Sequence, residues 1–202
     1  MKYPFVLTAV LFILSCSEKK PGSLPGLATR QDSVQPPAQY FPVMDFIKSE
    51  IAGVDSLPVG IKKYTENGDS GNKKGYAYIK PEEFHRLAAE FIPEELSDSI
   101  FKKEYQETSF LDRSSNSATF FYTTKNASLP LQRVDVLTQK GDIYDKVKSI
   151  YLQKNYRSGD TDFIKKLYWR PQRSFQVITL ASSGSQKPVT EIINVVWDNR
   201  EE

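Results

Sequence analysis

From Ser117 to Asp198 the chain reads as one apolar run after another, each a few residues long and each closed by polar punctuation. Ala118–Thr123, Val134–Val136, Lys148–Tyr156, Phe163–Trp169, Phe175–Leu180 and Ile192–Trp197 are rich in β-branched and aromatic residues. Between them stand Asn126-Ala127-Ser128, Gly141-Asp142, Ser158-Gly159-Asp160, Pro171 and Ser182-Ser183-Gly184-Ser185. No helical period of helix length competes in this stretch. Consecutive strands with short links predict an antiparallel meander.

Upstream the period changes. Val43, Phe46, Ile47, Glu50, Ile51 and Val54 recur at three-four spacing and predict a first helix over Phe41–Val54, with Pro42 suited to its first turn. Val59–Thr65 and Gly75–Ile79 read as a hairpin around the loop Glu66–Asn72. That loop is rich in oxygen ligands, but it lacks the regular spacing and closing Glu of an EF-hand, so a solvated turn is expected and no metal. Pro81 with Glu82 and Glu83 opens a second helix, whose stripe is Phe84, Leu87, Ala88 and Phe91. Pro93-Glu94-Glu95 starts another helical turn with Leu96, Ile100 and Phe101 facing inward, and Lys103–Phe110 is a candidate strand pairing with Ser117–Thr124. The sum is an α+β domain: an antiparallel β-meander sheet with two or three N-terminal helices covering one face. With six or more strands, closure into a barrel is the alternative.

The first sixteen residues follow a different logic. Lys2 gives a positive start, and Phe5 to Leu14 an apolar run too short for a bilayer, which takes about 20 residues. The run ends in Ile13-Leu14-Ser15-Cys16. This resembles the lipobox of bacterial lipoproteins, as found among the Bacteroidota, and Cys16 is the chain's single cysteine. The resemblance implies a signal peptide over 1–15, palmitate-type diacylation of Cys16, cleavage before it and acylation of the new amino terminus. Several acyl chains anchor stably where one does not. Residues 16–39 combine Pro, Gly and polar residues without periodicity and read as a lipidated flexible tether. Extended at about 3.1 Å per residue, it stands the domain, 40–202, several nanometres off the membrane. Ser17 after the cysteine resembles lipoproteins passed on to the outer membrane. Lys19 and Lys20 after Glu18 fit poorly with an acidic surface-export patch, so a periplasm-facing location in the cell envelope is expected.

Composition narrows the chemistry. Lys and Arg number 27 against 25 Asp and Glu; with Lys2 removed by processing, 26 stand against 25. A near-neutral chain argues against nucleic acid, which requires a concentrated basic surface. One cysteine and one histidine exclude internal disulfides and cysteine-rich zinc sites, and no cofactor is expected. His85 beside Glu82 or Glu83 is the one general-base arrangement available, and a helix-surface histidine is the simpler reading. Glu94, Glu95 and Asp98 offer paired carboxylates for glycoside hydrolysis, although acids at helix starts explain them without catalysis. The inventory leans away from an enzyme.

Among 11 Tyr, 12 Phe and 2 Trp, the residues Tyr151, Tyr156, Tyr168, Trp169 and Trp197 lie in predicted strands and are candidate ligand or partner contacts. Strand alternation puts Phe163, Lys165, Leu167 and Trp169 on one face and Ile164, Lys166 and Tyr168 on the other. Core packing is the competing explanation for these rings. Asp32-Ser33-Val34, Asp55-Ser56-Leu57 and Asp98-Ser99-Ile100 each resemble the Bacteroidota O-glycosylation acceptor, which makes Ser33, Ser56 and Ser99 candidate sites. The expectation is a membrane-tethered envelope lipoprotein working as a non-catalytic binding or assembly module for an envelope protein or glycan. A carboxylate-based hydrolase of envelope polymers and a surface glycan-binding accessory are the alternatives.

Overall fold

The computed structural model describes residues 40–68, 75–141, 145–184 and 187–198. Three helices and a hairpin precede a seven-strand run. They are α1 (Val43–Asp55), β1 (Ile61–Asn67), β2 (Ala77–Ile79), α2 (Pro81–Ala88) and α3 (Asp98–Glu104), with single 3-10 turns at Ala89–Phe91 and Glu94–Leu96. Then come β3 (Tyr105–Asp112), β4 (Ser117–Thr124), β5 (Leu131–Gln139), β6 (Lys146–Ser158), β7 (Thr161–Arg170), β8 (Ser174–Ser183) and β9 (Val189–Val196). Among the described residues all pairings are antiparallel, and nine strands lie in the order β2-β1-β9-β8-β7-β6-β5-β4-β3.

The meander expected from the sequence is therefore present from β3 to β9. The N-terminal hairpin extends it by pairing β1 with β9, from Lys62 opposite Val196 to Asn67 opposite Glu191. Among the described residues the barrel alternative is not realised. β2 and β3 are the two edges of an open sheet, with all other strands between them.

Register fixes which side chains meet. One row across the sheet runs Tyr122–Val134–Leu152–Leu167–Val177–Ile193, and the next runs Phe120–Val136–Ile150–Trp169–Phe175–Val195. Because side chains alternate, both rows point to one face. Val43, Ile47, Val54, Phe84, Leu87, Phe91 and Phe101 come down on that face from the helical segments and complete the core. Aromatic packing is dense there: Phe91 lies 5.1 Å from Trp169, Trp169 stacks on Phe175 at 5.3 Å, and Phe84 lies 5.7 Å from Trp197.

Four of the five helical segments, all but α3, also reach the sheet through a glutamate. Glu50 of α1 accepts hydrogen bonds from Trp169 Nε1 at 3.4 Å and from the Gln172 backbone N–H at 2.6 Å. Gln172 sits at φ 61 in the three-residue turn between β7 and β8, a left-handed conformation that a side chain rarely adopts, and the Glu50 bond holds it there. Glu83 of α2 pairs with Lys63 of β1. Glu90 of the first 3-10 turn takes Lys154 at 3.3 Å and Lys165 at 2.5 Å. Glu95 of the second turn accepts the Leu131 N–H at 3.2 Å.

Candidate binding face

With helices on one side, the opposite face of the sheet carries the other parity of every strand. One row across it joins Tyr64 of β1, Asn194 of β9, Gln176 of β8, Tyr168 of β7, Tyr151 of β6, Asp135 of β5 and Phe121 of β4. At about 4.8 Å per strand this row is about 29 Å long.

Its polar members hold one another in place. Gln176 Nε2 donates to Asn194 Oδ1 at 2.7 Å. Arg133 Nε donates to Asp135 Oδ1 at 2.7 Å, and the Arg133 guanidinium stands 5.4 Å from the Phe121 ring centre. That carboxylate bond raises the Arg133 pKa further above its already high value. The Tyr151 and Tyr168 rings pack at 4.7 Å with a 46° tilt, and the Tyr151 hydroxyl donates to Gln153 at 3.1 Å. Partial burial, with the neighbouring Tyr168 and Asp135 adding to it, raises the Tyr151 pKa, so the hydroxyl stays protonated and available as a donor.

Two shallow depressions flank Tyr168, which is 43% exposed and forms their common wall. One, of about 330 Å³, is lined by Arg170, Ser174, Gln176, Asn194 and Val196. The other, of about 390 Å³, is lined by Thr119, Arg133, Asp135, Leu137, Ser149 and Tyr151. A larger cleft of about 830 Å³ opens at the end of the sheet between the start of α1 and the β7–β8 turn. Its lining mixes Lys146, Lys148, Arg170 and Arg173 with Asp145 and Glu50, and Glu50 is already committed to Trp169 and Gln172.

The structure separates the candidate aromatic residues. Tyr151 and Tyr168 come together on the open face. Tyr156 is on the covered side but near the end of its strand, half-buried, stacked on Phe163 at 5.1 Å with Lys165 over its ring. Trp169 and Trp197 are 0% and 5% exposed and belong to the core. Their strand parity faces the helices, where a large ring gains most by burial.

Among the catalytic candidates, His85, Glu83, Glu95 and Asp98 have partners. His85 Nε2 lies 2.9 Å from Asp55 Oδ1 of α1, not beside Glu82 or Glu83, and Glu83 turns to Lys63. Glu95 faces the backbone of β5, while Asp98 pairs with Lys102 along its own helix at 2.8 Å. Among the described residues there is no group of three or more His, Cys, Asp or Glu placed to hold a metal ion. None of the described helices is long and apolar enough to cross a membrane. Ser56 ends α1 with its hydroxyl bonded to Gly53 O at 2.7 Å, and Ser99 lies within α3. Cys16, Ser33 and most of the oxygen-rich loop fall outside the described residues.

Arg133, Asp135, Gln176 and Asn194 were not legible as site residues beforehand. Each is a polar residue at open-face parity in a β-rich stretch, which is a visible signal. Their convergence depends on the register of five strands, which is not. No protein-family model, curated protein or solved structure matches this chain.

Proposed function

We propose that this chain is a membrane-tethered envelope lipoprotein, held by Cys16 in the outer membrane and facing the periplasm, that works as a non-catalytic binding or assembly module through the open face of its sheet. The observation that carries the reading is the row through Tyr168. It combines an exposed ring, amide and ion pairs fixed in place by each other, and a depression on either side. Preorganised polar groups around an aromatic anchor lower the ordering cost of binding.

A protein partner suits this face better than a flat sugar ring. Tyr151 and Tyr168 are tilted by 46°, and Tyr76 and Tyr78 at the β2 edge by 85°, so neither pair makes a coplanar stacking platform. Two experiments test the reading. Cys16→Ala should release the protein from the membrane fraction. Tyr168→Ala combined with Gln176→Ala should abolish recovery of the partner on co-purification while leaving thermal unfolding nearly unchanged. Retention of the Cys16→Ala protein in the membrane removes the anchor. Undiminished partner recovery removes the face.

A further inference from the structure

The two edges of the sheet are built differently. β2 is three residues long and runs directly into Lys80 and Pro81, so it offers little ladder to an incoming strand. β3 is eight residues long, and among the described residues its only sheet neighbour is β4. It contains no proline or lysine, its ladder with β4 runs without a bulge, and Phe110 and Leu111 on it are 61% and 63% exposed. Short length, proline, lysine and a bulge are devices that keep an edge from pairing, and β3 has none of them; its one inward-facing charge is Glu107, opposite Tyr122.

The charges along β3 identify what it pairs with. Two copies joined edge to edge through the same strand are related by a two-fold axis normal to the sheet, so each residue faces one of the same parity. Centring on Glu107 sets that carboxylate against its own copy. Centring on Thr108 brings Asp112 against Glu104 at both ends. Centring on Phe110 leaves only the Thr108–Asp112 half of the strand paired. Centring on Ser109 puts no like charges opposite: Gln106 meets Asp112 as amide donor to carboxylate, Phe110 meets Thr108 with the two Phe110 rings diagonal across the axis, and Glu107 meets Leu111.

The geometry points to β3 as a homodimer edge, joining two copies of this chain into one continuous sheet with Ser109 on the two-fold axis. This edge lies four strands from Tyr168, and the pairing does not depend on what the open face binds. If both copies are anchored to one membrane, their shared surface raises their effective concentration and favours a contact that is weak in solution.

Ser109→Cys tests the register. Directly opposite residues of an antiparallel pair have Cα atoms about 4.5–5.5 Å apart, inside the window of about 4.4–6.8 Å that a disulfide needs. In the full chain carrying Cys16→Ala, position 109 is the only thiol. Mild oxidation should convert it to a covalent dimer much faster than a Ser158→Cys control at the β6–β7 turn. Sedimentation of the chain without the added cysteine should show a concentration-dependent dimer. Ser109→Lys sets lysine against lysine on the axis and should raise the dimer dissociation constant about tenfold or more without altering the circular dichroism spectrum. The proposal is overturned if position 109 cross-links no faster than position 158. It is equally overturned if the chain stays monomeric in solution and on vesicles and position 109 joins only a different protein in cells.

Discussion

Glu90 shows how single charges hold the helices to this sheet. Burial alone raises its pKa, but the hydrogen bond from Lys165 and the charges of Lys154 and Lys165 outweigh that, and the carboxyl ends up below its ordinary value of 4.5. A carboxylate with a depressed folded pKa contributes stability above its unfolded pKa and loses it as the pH falls through the folded one. Glu90→Gln should therefore cost about 1–2 kcal/mol at neutral pH, allowing for its partial exposure. The gap to wild type should close in acid, below about pH 4.5, and denaturant melts across pH measure it. Neighbouring positions on β7 divide sharply. Trp169→Ala should cost about 3–5 kcal/mol by opening the core, whereas Tyr168→Ala should cost less than about 1 kcal/mol. Equal costs would contradict the face assignment, and a larger cost at Tyr168 would reverse it. At the β3–β4 turn, side-chain hydrogen bonds from Ser114 and Ser115 lead a set that holds Asp112 down at about 2, so this turn keeps its charge at any mild pH.

At the scale of elements, periodicity foretold most of what forms. The three-four stripes at Val43–Val54 and Phe84–Phe91 became helical segments, and the turn residues at Ser158-Gly159-Asp160 became the two-residue loop that joins Ser158 to its partner Thr161. These signals are local, so a sequence carries them. The pairing of β1 with β9 is not local: its strands are more than a hundred residues apart, and nothing in either names the other. The same limit hid the glutamate anchors. Glu83 and Glu95 looked like acids placed for a helix dipole, and their work for the sheet appears only once Lys63 and the Leu131 N–H lie opposite them. Glu50 is the sharpest case, since it holds a turn more than a hundred residues away. Glu50→Ala should cost about 1–3 kcal/mol. Adding Gln172→Gly, which relieves the left-handed backbone, should restore part of it. A thermal-melt double-mutant cycle showing simple additivity would separate the two.

For the whole molecule, the helices settle which side of the sheet is free. They cover Trp169 and Trp197, which lie in the core, and leave Tyr168, with its flanking polar pairs, facing outward. We propose that the tether presents that face to a periplasmic partner at a distance from the membrane. The most direct measurement is in-cell photo-cross-linking from positions 168 and 176 on the open face, with position 86 on the exposed side of α2 for comparison, in wild type and in Cys16→Ala. The account predicts a discrete adduct from 168 and 176, none from 86, and weaker adducts once the anchor is gone. Adducts from the helical side alone, or equal adducts from all three positions, would contradict it.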